Sequence, residues 1–252
     1  MGDMAWLLMA CKQYELKFNS SRYNKLITLI SDLFKSWYIP ENEGGYIGSG
    51  WRKLDVKLHE ENGHHEGNID AYAVFKMIGE NDYANKIAKW LLPSLKGRNR
   101  PLDLFAWKVL AFAPKFADDL SIPETIPGYK KTVEFRGKNV VGFTSSRNNH
   151  TNIWTDGLGH IVCAYHAIGE PEKADFYMRQ MDKLVMRKLV NGEQVAALPY
   201  TAARSPGYEW VNPDKGCLSG AAWYIMARNK FNPMQLEGRC PQRPNWSNGV
   251  ME

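Results

Sequence analysis

Nowhere in this chain does an apolar run approach the ~18 to 20 residues that a membrane-spanning helix requires, so neither a helical span nor a membrane partner is expected. A phosphate loop is missing too: Gly44-Gly45-Tyr46-Ile47-Gly48-Ser49-Gly50 lacks the lysine and the following helix that would cradle a nucleotide. Cysteine is scarce. Cys11, Cys163, Cys217 and Cys240 show no CxxC spacing, and two of them lie on apolar helical faces beside Ala and Leu, which reads as buried free thiols. No secretory signal is read in residues 1–10, where Asp3 stands in place of the usual Lys or Arg and Lys12 soon breaks the apolar stretch. A cytoplasmic location is therefore expected unless an upstream signal has been lost. Nor is positive charge concentrated: the net +5 is spread along the chain, and the basic groups at 96–100 and at Arg187-Lys188 read as solvated surface, so nucleic acid is not an expected partner.

What the chain does have is an ordinary globular composition, 44% hydrophobic and 23% charged over 252 residues, enough to bury a sizeable core. A single domain over 1–252 is expected. Apolar residues at helical spacing (Met4, Leu7, Leu8, Cys11, Tyr14) predict a helix over 3–18, and Leu26, Ile27, Leu29, Ile30, Leu33, Phe34 and Trp37 predict a second after the Asn19-Ser20-Ser21 break. Two helices joined by so short a turn form an antiparallel hairpin. From 38 to 67 the period disappears, and so long a connection inside a domain is commonly functional. Further hairpins are predicted at 68–92 and 156–189, and they form an internal repeat: Ala71-Tyr72 through Gly79-Glu80-Asn81-Asp82-Tyr83-Ala84 parallels Ala164-Tyr165 through Gly169-Glu170-Pro171-Glu172-Lys173-Ala174. Glycine suits the left-handed helix cap, and the acids after it face the positive start of the next helix. Helices are also predicted at 102–112 and 216–229, while 132–144 and 194–200 have strand composition and are expected as rim decorations. Repeated hairpins bury their apolar faces by stacking.

Four strings together resemble the six-hairpin glycosidase-like superfamily: Trp154-Thr155-Asp156-Gly157-Leu158-Gly159; Glu66-Gly67-Asn68-Ile69-Asp70-Ala71-Tyr72; the Gly-Glu-Asn/Pro turns; and Ser219-Gly220-Ala221-Ala222-Trp223-Tyr224 ahead of Phe231-Asn232-Pro233. The resemblance implies an all-α fold, an alpha/alpha toroid of helical hairpins with small β-hairpins on one rim. This chain shows fewer helices than a closed ring of that family, so one or two hairpins are expected to be missing at the amino end, and the exposed edges of an unfinished ring would favour a homodimer. That toroid serves glycosidases, lyases, epimerases and non-sugar enzymes, so the activity must be read from the site.

In such a toroid the starts of the inner helices line one mouth, and Asp3, Asp70 and Asp156 each open a predicted helix. Helix capping explains any one of them, at about 0.5 to 2 kcal/mol. Clustering points further. Glu60, Glu61, His64, His65, Glu66 and Asp70 crowd one helix entrance next to Trp51; Arg147-Asn148-Asn149-His150 with Trp154 and Asp156 crowd another. Glycoside hydrolysis needs a carboxylic acid and a carboxylate about 5 to 9.5 Å apart. The expected catalytic groups are Glu66 or Asp70 on one wall and Asp156 on the other. Sugar rings stack on aromatic faces, which nominates Trp51, Trp154, Tyr200, Tyr208 and Trp210 in polar segments, with His64, His65, His150, Arg204 and Glu209 as polar partners. Trp6, Trp37, Trp90, Trp107 and Trp223, at helical spacing, read as core. No metal and no cofactor are expected, since His59-Glu60-Glu61-Asn62-Gly63-His64 has one residue too many for HExxH. The leading expectation is hydrolysis of an oligo- or polysaccharide. Two alternatives stand beside it: a lyase or epimerase using His and Tyr as acid and base, and a non-catalytic helical array that binds glycan or protein.

Overall fold

The computed structural model describes residues 1–48, 52–53, 56–57, 64–147, 152–204 and 211–236. The chain opens with the expected hairpin, α1 (Gly2–Phe18) and α2 (Asn24–Ser36). It continues through β1 (Tyr38–Glu41), β2 (Gly44–Ile47), β3 (Arg52–Lys53) and β4 (Val56–Lys57) to α3 (His65–Met77) and α4 (Asn81–Ser94). Next come α5 (Leu102–Phe112), a 3-10 turn at Ala117–Leu120, α6 (Ser121–Thr125), β5 (Lys130–Phe135) and β6 (Lys138–Phe143). The last part is α7 (Thr155–Ala167), α8 (Pro171–Leu184), β7 (Met186–Val190), β8 (Glu193–Pro199), β9 (Gly216–Cys217) and α9 (Leu218–Arg228). The repeat is real at its turns: Gly79 and Gly169 both adopt left-handed backbone, at φ +83° and +76°, where other side chains are strained.

An all-α toroid does not describe this chain. Among the described residues the strands form four antiparallel sheets, three of two strands and one of order β7-β8-β9, so the architecture mixes helix and sheet. Nor are the strands mere decoration. The β5–β6 hairpin fills the interval between α5 and α7 and packs on α8, with Phe135, Val140 and Phe143 buried in the main core. Gln180 of α8 accepts a hydrogen bond from the Val141 N–H at 3.0 Å. Local chemistry explains the departure: Val133, Val140 and Val141 favour the pleated backbone, and the hairpin turns at Arg136-Gly137, both with positive φ. The helix predicted to reach 189 ends at Leu184, where the chain passes through Val185 into β7.

The core lies where α1, α3, α5, α7 and α9 pack in sequence, α1 on α3, α3 on α5, α5 on α7 and α7 on α9. Trp6 of α1 meets Trp223 of α9 edge-on at 5.5 Å, which brings the last of these helices back to the first. Against them lie α2, α4 and α8, the return arms of the three hairpins. Two glycines let the neighbours approach. A Cβ at Gly157 would lie 2.7 Å from Leu102 Cδ2 of α5, and one at Gly159 would lie 2.7 Å from Trp223 Cβ of α9. Cys11 and Cys163 are buried free thiols, as their apolar surroundings suggested, and Cys217 is half-buried. No described helix is long and apolar enough to cross a membrane.

Candidate functional site

The five core helices start at one end of the molecule, and their second residues form a series: Asp3, Glu66, Asp103, Asp156 and Ser219. Two of them, Glu66 and Asp103, converge with Asp70. Glu66 and Asp103 lie within hydrogen-bonding reach of each other; Asp70 feels the charge of both. Asp156 is within reach of the Ser219 hydroxyl, and the Tyr200 phenol senses both Asp156 and Asp103. Contacts thus join α3 to α5 and α7 to α9, and the Tyr200 phenol lies within the electrostatic range of both pairs. Asp3 takes no part and is exposed.

Local structure explains the placement. α3 begins at His65, three residues earlier than the sequence suggested, which puts Glu66 in its first turn and Asp70 one turn further in. His64 caps that helix, its Nδ1 accepting from the Gly67 N–H at 3.3 Å. Asn68, wholly buried, ties β2 to α3: its side chain accepts from the Ile47 N–H at 2.8 Å and donates to Ile47 O at 3.2 Å and His64 O at 2.9 Å. The start of α5 is pinned where the Leu102 N–H donates to Ser145 O at 2.8 Å. For α7, the Trp154 N–H donates to Phe143 O at 2.8 Å and the Thr155 N–H to Tyr200 O at 3.0 Å, so the ends of β6 and β8 hold the helix that carries Asp156.

Burial tunes these acids. Asp70, Asp103 and Asp156 are 2%, 8% and 6% exposed, whereas the Glu66 side chain is 31% exposed and gives solvent its access to the group. Burial pushes Asp103 up to about 7, assisted by the negative charge and hydrogen bond of Glu66 and opposed by the Leu104 N–H that donates to Oδ1 at 2.8 Å. Asp156 is pushed up to about 6, again by burial, with the Ser219 hydroxyl pulling the other way. Asp70 is raised well above the ordinary carboxyl range, by burial and then by Glu66, with the Trp6 indole opposing. Capping does not explain Asp70 or Asp156: the first is a full turn inside α3, the second does not cap α7, and each leaves Oδ1 without a hydrogen-bond partner.

Beneath the acids lies an aromatic layer. Trp107, His160 and Trp223 are each the sixth residue of their helix, as Asp70 is of α3, and Trp6 joins them from α1. His160 is 1% exposed and sits 4.1 Å from Trp223, 5.1 Å from Trp154 and 5.3 Å from Trp107, centroid to centroid. Burial drives it down to about 3, so it is neutral, and neither ring nitrogen has a hydrogen-bond partner. The indole N–H of Trp107 is likewise buried and unmatched. Such a concentration of unsatisfied polar atoms at one place needs an explanation, and a polar ligand supplies one.

Of the predicted residues, Glu66, Asp70, Asp156, Trp154 and Tyr200 belong to this group. His64 is a helix cap, 3.8 Å from Glu66, and His65 stacks toward Trp90 with centroids 5.6 Å apart, its imidazole pushed down by burial and by Arg100. Arg204 stands apart, 3.4 Å from Asp214. Trp51, His150, Tyr208, Glu209 and Trp210 lie outside the described residues. Sequence reasoning missed Asp103, although its helix was placed at the correct residues; the signal was its second position, shared with Glu66 and Asp156. Trp6 and Trp107, read as core, pack against it and are partly buried. Among the described residues no group of His, Cys, Asp and Glu has the arrangement of a metal site.

The opposite end of the core, where α3 and α5 finish, has a cavity of about 560 Å³ lined by Tyr72, Met77, Phe112 and Met234 with Lys76 and Lys115. It has no carboxylate in its lining and offers no acid–base pair. Comparison of the chain with protein-family models, with curated proteins and with solved structures returned no match in any of the three.

Proposed function

We propose that the acidic end of the core is the active site of a glycoside hydrolase. The observation that carries the reading is that Asp103 and Asp156, each the second residue of its helix at this end, are both buried and both raised above the ordinary carboxyl range, with Glu66 in hydrogen-bonding reach of Asp103. A pair of carboxyl groups held at different protonation is what hydrolysis of a glycosidic bond requires. Asp103, up at about 7, keeps its proton near neutrality and is the general acid that protonates the leaving oxygen. Asp156, at about 6, is largely ionised there and is the carboxylate that meets the sugar carbon or activates water. Glu66 is within hydrogen-bonding reach of Asp103 and is the member of the pair open to solvent. Trp154 and Tyr200 supply aromatic surface and a hydroxyl for the sugar ring.

The test is a screen of neutral, amino and acidic oligosaccharides with product analysis, followed by Asp103→Asn and Asp156→Asn on any substrate found. Hydrolysis predicts new reducing ends, no ultraviolet-absorbing unsaturated product, and a loss of kcat of at least ~100-fold in each variant with binding retained. Unsaturated products would identify elimination instead, and binding without turnover would identify a lectin-like module. Either outcome overturns the proposal.

A further inference from the structure

The acidic end is poor in counter-charge. No lysine or arginine side chain among the described residues ion-pairs with Glu66, Asp70, Asp103 or Asp156; such pairs form elsewhere, as between Lys108 and Asp119 at 2.7 Å and Arg228 and Asp182 at 2.8 Å. Near them stand the Met1 amine, which acts on Asp70, and the His64 imidazole, whose Nε2 is 3.8 Å from Glu66. Independently of the charge, the interior here has acceptors with no donor: Asp70 Oδ1 and Asp156 Oδ1, in side chains 2% and 6% exposed. One helical turn below Asp156, His160 is 1% exposed and adds two ring nitrogens without hydrogen-bond partners. Around them stand the indoles of Trp6, Trp107 and Trp154, all partly buried.

Carboxylates short of cations, two buried carboxyl oxygens without a donor, and indole rings share one complement. A protonated amine donates three hydrogen bonds, offsets carboxylate charge, and is attracted to the face of an aromatic ring. A hydroxyl at the same place donates one hydrogen bond and no charge. A uronic acid would bring a further negative charge to carboxyl groups that already repel one another.

We infer that this site takes an amine-bearing glycan, an N-unsubstituted amino sugar whose ammonium is met by the Glu66 carboxylate and by Asp156, beside the indoles of Trp6 and Trp154. This rests on the carbohydrate reading above and adds the charge of the substrate to it. The order of preference that follows is amine over neutral over acidic.

Titration calorimetry on the full chain at about pH 6, where a sugar amine is largely protonated, decides the matter. The probes are hexamers of glucosamine, N-acetylglucosamine and galacturonic acid. The glucosamine hexamer is expected to bind at least ~10-fold more tightly than its N-acetylated counterpart, with no binding of the galacturonate. Glu66→Gln is expected to cut that ratio to about threefold or less, and added salt to narrow it in the unmodified chain, which keeps the test decisive if the variant does not fold. Equal binding of the two glucosamine forms, a preference for the neutral or acidic hexamer, or no binding of any, overturns the inference. The two readings fail separately. Cleavage of the neutral hexamer without amine preference leaves hydrolysis standing and removes the inference; tight binding of the amine hexamer that stays uncleaved does the reverse.

Discussion

Replacing Asp103 by Asn should make the protein more stable and inactive at once. Burial and Glu66 raise this acid from an ordinary 3.8 to about 7. Between about pH 4 and pH 7 the folded chain therefore keeps a proton that the unfolded chain has released, and each rise in pH favours unfolding. Below that window both states hold the proton; above it the full cost remains. At roughly 1.4 kcal/mol for each pH unit crossed, that cost is on the order of 4 kcal/mol. Asparagine removes the charge and keeps the contacts: its Oδ1 can accept from the Leu104 N–H, 2.8 Å away in the native chain, and its amide can donate to Glu66. Urea denaturation at pH 8 should show Asp103→Asn more stable than the native chain by about 2 to 4 kcal/mol, with the gain vanishing near pH 4. Such a trade of stability against activity marks a functional carboxyl. A variant that is destabilised at pH 8, or equally affected at both pH values, would refute the placement of a protonated Asp103 in the interior.

On any cleaved substrate, kcat/KM should follow a bell with limbs near the values of Asp156 and Asp103, about 6 and about 7, rising as Asp156 ionises and falling as Asp103 loses its proton; a profile flat from pH 5 to 8 would exclude this pair. Gly157→Ala places a Cβ 2.6 Å from the Trp154 ring and 2.7 Å from Leu102 Cδ2, so it should cost about 1 to 3 kcal/mol in thermal or chemical unfolding and disturb the spacing of α5 and α7. Asn68→Ala leaves the buried Ile47 N–H unpaired and should cost about 2 to 4 kcal/mol, with faster amide exchange across β2 as its signature.

Much of the helical framework was legible because it is periodic. α1, α2, α4 and α5 announce themselves in apolar spacing, and Gly79 and Gly169 mark their turns by the only residue that takes left-handed backbone freely. The fold class was not, because the alternation in β5 and β6 looked peripheral while Phe135, Val140 and Phe143 are in fact core. Only tertiary context separates a rim hairpin from one that replaces a returning helix. In the candidate site, Glu66, Asp70 and Asp156 stood out through their crowded neighbours. Asp103 did not, since Pro101-Leu102-Asp103-Leu104-Phe105 reads as a helix start with an ordinary acid in its first turn. Its meaning lies in Glu66, which is 37 residues away in the chain yet within hydrogen-bonding reach. Helical spacing put Trp6 and Trp107 on the inner face, and both pack against the core there, partly buried.

The most direct measurement is a crystal structure of Asp156→Asn with a bound oligosaccharide drawn from the screen. A sugar ring over the starts of α3, α5 and α7, with its glycosidic oxygen in hydrogen-bond reach of Asp103, is the expected result. A sugar seated instead in the 560 Å³ cavity beside Tyr72 and Phe112, with the acidic end unoccupied, would contradict it.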